Sequence, residues 1–244
     1  MSENNIEKLQ EENAQLRTEI TALREALEKG DEALATNEIR LKLAYLSTIQ
    51  ALVRAIEAKD PYTVGHSNMV AKVSVAVARK MDLSEDECER VRIAGTLMNL
   101  GKITIDRDIL LKREELDEQE RAQLHTVPQV GAEIVEPIIY PWDVASLIYQ
   151  SHERLDGSGY PDGLQGEAIV AEARILGLAD SFVAMIVRRA YRDAHGEEEA
   201  MKYFREQAGK AFDKDCVHAL AEVIAADPEL REELDQYKST LRTD

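Results

Sequence analysis

The sequence predicts an all-α protein, a helical bundle preceded by a long coiled-coil helix. Apolar residues recur at helical spacing along nearly the whole chain of 244 residues. Aromatic residues make up only 5% of the sequence while apolar residues make up 44%, so we expect a core built from Leu, Ile, Val and Ala. No convincing alternation of the kind that marks a half-buried strand appears. Only the glycine-rich run 156–163 clearly interrupts the helical pattern.

A heptad repeat occupies the N-terminal residues and predicts a coiled coil. Its a and d positions hold Ile6, Leu9, Leu16, Ile20, Leu23 and Leu27. Asn13 takes the remaining a position, where two facing amides can bond to each other in a parallel pair. The g and e positions offer two interchain charge pairs, Glu12 with Arg17 and Glu19 with Arg24. We therefore expect a parallel homodimer, with a single solvated helix as the alternative.

The remaining elements follow from helix start and stop signals. Gly30 falls on a d position and predicts a kink, and Asp60-Pro61 ends the helix that connects stalk and bundle. Ser84 and Glu87 form the pattern of a capping box. Further helices are predicted over residues 116–135, 142–153, 171–187, 197–208 and 215–225. The expected domains are a stalk over residues 1–44, a globular domain over 45–228, and a polar helical tail over 229–244.

Composition narrows the classes of function. The net charge of −17 opposes non-specific binding to nucleic acid and docking on anionic lipid. No apolar run is long enough to span a bilayer, and the first ten residues lack the apolar stretch of a signal peptide, so we expect a cytoplasmic protein. The two cysteines, Cys88 and Cys216, are isolated, which suits reduced thiols rather than a disulfide or a zinc site.

One long motif connects the chain to a known family. His152-Glu153-Arg154 is followed by a glycine-rich loop of Asp156, Gly157, Ser158, Gly159, Tyr160, Pro161, Asp162 and Gly163. This run resembles the signature of the HD-GYP phosphodiesterases. The resemblance extends in order through Gly65-His66-Ser67, Gly101-Lys102-Ile103, Leu178-Ala179-Asp180 and Arg189-Ala190-Tyr191-Arg192. It implies a bundle of about seven helices with a metal site at its centre.

The resemblance also implies a reaction, the hydrolysis of cyclic di-GMP by divalent metals held in a cage of His, Asp and Glu. At the matching positions this chain keeps Glu57, His66, His152 and Asp180, but Met98 and Asn99 replace the family's His-Asp pair. Val127 and Ser151 replace two further histidines, and Val183 replaces an acidic residue. Thioether, hydrocarbon and neutral amide suit such ions poorly. We therefore expect a degenerate domain with no metal or other cofactor.

Several candidate residues can be interpreted either as functional or as purely structural. His66 and Asp180 can persist as a hydrogen-bonded pair without a metal. His125 lies two residues from position 127, about 200° round a helix, so we expect its side chain to point away from the site. The loop from Asp156 to Pro161 is either structural or a docking surface. Four cations could bind a phosphate or could lie in ion pairs: Lys102, Arg154, Arg189 and Arg192.

Three functions remain in order of preference. The first is a catalytically inactive dimeric scaffold that binds a diguanylate cyclase or another signalling protein. The second is a receptor that binds cyclic di-GMP or another nucleotide without cleaving it. The third is a residual metal-dependent phosphodiesterase that uses Glu57, His66, His152 and Asp180.

Overall fold

The computed structural model describes residues 36–37, 39–40, 44, 47–60, 63–112, 114–138, 142–187 and 195–240. The predicted heptads and the kink at Gly30 lie outside these residues, and so do Pro61, Arg189 and Arg192. A unit boundary follows Gln50, and the second unit begins at Ala51. Before that boundary, residues 36–37, 39–40, 44 and 47–50 are helical.

The second unit is helical, and its described residues contain no β-sheet. Helix α1 covers residues 51–57. The others are α2 (His66–Lys80), α3 (Glu85–Leu97), α4 (Arg107–Leu110), α5 (Glu118–His125), α6 (Val127–Val135), α7 (Val144–Gln150), α8 (Ala171–Met185), α9 (Glu197–Gln207), α10 (Lys214–Ala226) and α11 (Pro228–Thr240). Short 3-10 turns cover Leu100–Thr104 and Gly166–Ala168. The all-α prediction is confirmed, with helices that are shorter and more numerous than expected.

Helix α2 lies at the centre of the bundle and packs against α3 and α8. Most buried side chains of this core are aliphatic, as the composition predicts, and Phe182 of α8 is buried with them. The aliphatic set includes Val70, Val73, Ile93, Leu97, Ile175 and Leu178. Fully burying such a side chain stabilises the fold by about 1.5–3 kcal/mol. At the start of α3, the predicted capping box is present, because Ser84 and Glu87 each accept the other's backbone N–H. None of the described helices is both long enough and apolar enough to cross a bilayer.

Two predicted helices differ from those in the structure. The helix expected over 116–135 is interrupted at Thr126, which separates α5 from α6. Pro128 is the physical reason, since it has no N–H for the carbonyl four residues earlier and its ring crowds the preceding turn. The helix expected over 142–153 is shorter, and α7 ends at Gln150. Residues 151–154 therefore lie in a turn that faces the central helices.

The C-terminal helix α11 belongs to the bundle rather than standing apart as a polar tail. Leu230, Leu234 and Tyr237 are buried at helical spacing. Glu233 forms an ion pair with Lys72 of α2. The Tyr237 ring approaches the backbone at Gly65 so closely that a Cβ on this glycine would lie 3.4 Å from the ring. The C-terminal helix thus covers the end of the bundle from which α2 starts.

Candidate functional site

A hydrogen bond between α2 and α8 forms the centre of the site. His66, the first residue of α2, is 1% exposed, and its Nε2 lies 2.8 Å from Oδ1 of Asp180. A carboxylate can only accept, so Nε2 of His66 carries the proton. The packing of α2 on α8 brings these residues together across 114 positions of sequence. The expected His66–Asp180 pair is therefore present.

A second histidine lies on the other side of Asp180. His152 Nε2 is 3.8 Å from Asp180 Oδ2, which exceeds a hydrogen-bond distance. Its Nδ1 is 3.0 Å from Ser151 Oγ, and that hydroxyl donates to Ile148 O at 2.7 Å. A hydroxyl has a single hydrogen, so Ser151 accepts from His152 Nδ1 and leaves Nε2 without a proton. Ser151 thus fixes the tautomer of the imidazole that faces Asp180.

Burial keeps His152 neutral. It lowers the pKa of His152 from 6.5 to about 4, although the nearby Asp180 carboxylate favours the charged form. The side chain is 19% exposed, and that of Asp180 is 18% exposed. The carboxylate of Asp180 thus lies between two imidazoles.

The replaced positions Met98, Asn99 and Val127 are buried where the segment after α3 packs on α6 and on the start of α2. Met98, at the end of α3, is 1% exposed, and Val127, the first residue of α6, is 5% exposed. Asn99 is buried, and its amide nitrogen donates to Ser67 Oγ at 3.4 Å, one residue along α2 from His66. The close approach of the two segments depends on Gly101, where a Cβ would lie 2.0 Å from the carbonyl oxygen of Val127.

Lys102 and Glu57 both have partners within the domain. Lys102 Nζ donates to Asp60 Oδ2 at 3.0 Å, and their side chains are 16% and 6% exposed. The neighbouring Lys59 Nζ donates to Ile103 O at 2.7 Å, so two crossed contacts join these segments. Glu57 accepts the backbone N–H of Gly65 at 2.7 Å, while burial raises the pKa of its carboxyl. Of the two alternatives for Lys102, phosphate binding or an ion pair, the structure shows the ion pair.

The Arg154 side chain contacts the turn before the glycine-rich loop, helix α8 and the segment before α10. Its guanidinium donates to Glu153 O at 2.9 Å and to Ser181 Oγ at 3.0 Å. It also lies 4.8 Å from the centre of the Phe212 ring, a cation–π contact. Burial lowers the pKa of Arg154, and Asp180 opposes that shift. Whether Arg189 and Arg192 join a phosphate site lies outside the described residues.

The glycine-rich loop is held down by a buried carboxylate. Glu153 is 4% exposed, and its two oxygens accept the backbone N–H groups of Asp162 at 2.8 Å and Leu164 at 3.0 Å. Tyr160 N donates to His152 O at 3.2 Å. At Gly159 a Cβ would lie 2.4 Å from Arg154 N, so no larger residue fits this turn. The loop therefore has a defined conformation built on the His152-Glu153-Arg154 turn.

The exposed part of the loop is polar. Asp156 Oδ1 accepts from Ser158 N at 3.0 Å and from Ser158 Oγ at 2.6 Å, which closes an Asx turn. Asp162 accepts from Tyr149 OH at 3.1 Å. Asp156, Ser158 and Asp162 are exposed, whereas Tyr160 and Pro161 are only partly so. Of the predicted docking residues, the acidic and hydroxyl side chains are thus the ones presented to solvent.

His125 does not point away from the site, contrary to the expectation from sequence. Its ring stacks on Tyr160 with centroids 4.0 Å apart and planes 14° apart. Tyr160 in turn lies 5.1 Å from the His152 ring. The expectation that His125 points away was wrong because the angle of about 200° between positions 125 and 127 assumes one continuous helix. The chain instead turns at Thr126 between α5 and α6. Tyr160 is therefore enclosed by two imidazoles, and burial raises the pKa of its hydroxyl.

Sequence reasoning missed the contributions of Ser151, Glu153 and Asp60. The family resemblance indicates only that Ser151 replaces a histidine, whereas in the structure the Ser151 hydroxyl orients His152. A signal for Glu153 existed, because a carboxylate beside a glycine-rich loop can accept otherwise unpaired N–H groups. No local pattern reveals that Asp60 pairs with Lys102, because the two residues are 42 positions apart.

The all-α bundle, the buried His66–Asp180 pair and the glycine-rich loop define a domain of the HD-GYP-like class. The chain belongs to the HD domain family, whose sequence profile matches residues 50–216. The match covers the bundle from α1 to the start of α10.

Curated relatives carry phosphodiesterase names. The cyclic di-GMP phosphodiesterase response regulator RpfG of Xanthomonas campestris is 40% identical over 175 residues, which cover 71% of this chain and 46% of that protein. The 3'3'-cGAMP-specific phosphodiesterase 3 of Vibrio cholerae is 34% identical over 186 residues, covering 74% of this chain and 40% of that protein. The chain thus spans less than half the length of these relatives.

Solved structures share the fold. The cyclic GMP-AMP-specific phosphodiesterase V-cGAP3 of V. cholerae superposes with a TM-score of 0.60 at 20% identity, covering 80% of this chain and 53% of that one. Bd1817 of Bdellovibrio bacteriovorus, an HDG"Y"P protein, gives 0.56 at 18% identity, with 66% and 52% covered. At such identities the likeness concerns the fold alone.

Proposed function

We propose that this chain is a catalytically inactive HD-GYP module that acts as a dimeric protein-interaction scaffold in cyclic di-GMP-related signalling. The signalling context rests on the relatives named as cyclic di-GMP and 3'3'-cGAMP phosphodiesterases. The observation that carries the proposed inactivity is the chemistry of the buried side chains at the positions where the family has metal ligands.

These side chains do not fit a cage for two hard divalent ions. Such ions select carboxylate oxygen and imidazole nitrogen. Met98 and Val127 present a thioether and hydrocarbon at buried positions. Asn99 has a neutral amide where a carboxylate would bridge two ions, and this amide donates a hydrogen bond to Ser67. The bridging group is therefore missing. Losing even one group that supports a ligand typically weakens metal binding 10- to 100-fold.

The remaining polar groups satisfy one another. His66 donates to Asp180, and His152 donates to Ser151. A buried polar group is tolerated when it has such a partner. The retained residues can therefore persist for stability alone, which agrees with a domain that keeps its fold without its chemistry.

The electrostatics of the pocket also disfavour the receptor alternative. The positive charge of Lys102 is opposed by Asp60 at 3.0 Å. Both terminal nitrogens of the Arg154 guanidinium already donate hydrogen bonds within the protein. A dianionic nucleotide would need to break such contacts, and burying phosphate without compensating partners is costly.

One observation favours the third function, a residual single-metal phosphodiesterase. The unprotonated Nε2 of His152 and the carboxylate of Asp180 face each other 3.8 Å apart. Two electron-rich atoms at that spacing would attract a cation. His66 Nε2 already donates its proton to Asp180, and Glu57 accepts the backbone N–H of Gly65. His152 and Asp180 alone are fewer than the three protein ligands that a catalytic metal site normally has.

One purified sample tests all three functions. Elemental analysis is expected to show no stoichiometric iron, manganese or zinc, and no linear product is expected from cyclic di-GMP or 3'3'-cGAMP in the presence of Mn²⁺ or Fe²⁺. Calorimetry with cyclic di-GMP at low salt is expected to show no binding tighter than about 100 μM. Turnover would establish the phosphodiesterase. Micromolar binding without turnover would establish the receptor.

A further inference from the structure

An open groove of about 760 Å³ lies between α9, α10 and the start of α11, separate from the His66–Asp180 site. Its floor is formed by Met201 of α9 and by Ala221, Ile224 and Ala225 of α10. Met201 and Ile224 are each 5% exposed, while Ala225 is exposed. Small side chains along this floor let the backbone of a docked segment come close to α10.

Three cations line the groove: Lys202 and Arg205 of α9 and Arg231 of α11. All three side chains are exposed. None of them forms a side-chain hydrogen bond or an ion pair with another residue of the described ranges. Many cations elsewhere in the unit are paired, as in Lys80 with Glu222 and Arg174 with Asp213. Among the described residues these three cations therefore have no side-chain partner, in a chain whose net charge is −17.

The acidic residues of the groove are concentrated in the first turn of α9, at Glu197, Glu198 and Glu199. Two of them have partners, because Glu197 lies 3.5 Å from Lys238 and Glu199 lies 3.0 Å from His195. Negative charge in the first turn of a helix is also favoured by the helix dipole. These carboxylates therefore make the start of α9 the acidic end of the groove, while the three cations lie further along α9 and on α11.

We propose that this groove docks an amphipathic helix of a partner protein, with its apolar side on the α10 floor and acidic side chains against Lys202, Arg205 and Arg231. A helix laid in a groove is a common mode of peptide recognition. The charge pairs at the rim set orientation and specificity. The net charge of the whole chain repels an acidic partner, but salt screens that repulsion beyond about 8 Å. This site does not depend on whether the His66–Asp180 pocket is active.

The test uses the full chain and a labelled synthetic peptide of about 18 residues, or five helical turns, with leucine on one face and glutamate on the rest. Fluorescence anisotropy is expected to show binding that weakens about tenfold or more in the double variant Lys202→Glu with Arg205→Glu. The matched control, Lys210→Glu with Lys214→Glu, makes the same change of charge at exposed positions outside the groove and is expected to bind as the unmodified chain does.

Several outcomes would overturn the proposal. These are no binding, equal weakening in both double variants, or equal affinity for a peptide with glutamine in place of glutamate. Displacement of the peptide by micromolar pyrophosphate would assign the groove to a small anion instead. A change of molar mass in the groove variant would make it a contact between copies. Circular dichroism checks folding, and if the reversal variant unfolds, Lys202→Gln with Arg205→Gln must weaken binding or the proposal fails.

Discussion

His125 stacks face to face on Tyr160, with ring centroids 4.0 Å apart and an angle of 14° between the planes. This contact joins the end of α5 to the glycine-rich loop, two segments that no hydrophobic pattern connects. Because Tyr160 also lies 5.1 Å from His152, the stack covers one side of the pocket. It gives the loop an anchor that is separate from the buried carboxylate of Glu153.

Replacing His125 tests the strength of that anchor. We expect His125→Ala to lower the free energy of unfolding by about 1 kcal/mol, the typical contribution of an aromatic pair beyond its burial. His125→Phe should retain most of the stability because it keeps a stacking ring. Urea denaturation measures both. The control His218→Ala, at a side chain that is 76% exposed, should change stability by less than about 0.5 kcal/mol.

Glu153 is expected to stabilise the loop through its two backbone contacts. In Glu153→Gln only one oxygen remains, so one of the N–H groups of Asp162 and Leu164 loses its acceptor. We expect a loss of about 1–3 kcal/mol and faster hydrogen exchange at these two amides. The exposed Glu167 offers the matched control Glu167→Gln. Unchanged exchange at Asp162 and Leu164 would contradict the proposed role.

Stability should depend on pH through His152, whose pKa is lowered by burial from 6.5 to about 4. Between these values the unfolded chain binds a proton to this imidazole and the folded protein does not. The contribution is therefore fully present above about pH 6.5 and is lost as the pH falls towards 4. Between pH 7 and pH 4.5 the unmodified chain should lose about 2 kcal/mol more than His152→Gln. Parallel pH profiles would disprove this assignment.

Restoring the family's His-Asp pair alone should not restore activity. We expect Met98→His with Asn99→Asp to leave hydrolysis of cyclic di-GMP at background, because Val127 and Ser151 still supply no imidazole to the neighbouring position. A fourfold variant that adds Val127→His and Ser151→His is the comparison for metal binding, measured by elemental analysis. Hydrolysis by the double variant would show that the remaining donors suffice.

The coiled coil remains a prediction, since residues 6–27 lie outside the described part of the chain. We expect light scattering to give twice the chain mass of 27.4 kDa. Deleting the first thirty residues should reduce this mass to that of a monomer without changing the helical spectrum of the bundle. A truncated chain that stays dimeric would place the interface in the globular unit.

The sequence by itself determined the helical class and the capping box at Ser84, because these depend on local periodicity and on residues three positions apart. It allowed a hydrogen-bonded pair of His66 and Asp180, which the packing of α2 on α8 then brings together. It also indicated which positions lack metal donors. The position of His125 depended instead on a one-residue break at Thr126, which shifts every following side chain around the helix axis by an amount that periodicity does not specify.

Only the tertiary structure decided which partners the charged residues have. Lys102 with Asp60, Glu153 with the loop amides, and Arg154 with Ser181 join segments that helix packing brings together. The three cations of the α9–α10 groove, which have no side-chain partner among the described residues, emerge in the same way. Hydrophobic patterns fix which face of a helix is buried, but ion pairs depend on distances of a few ångströms between distant segments.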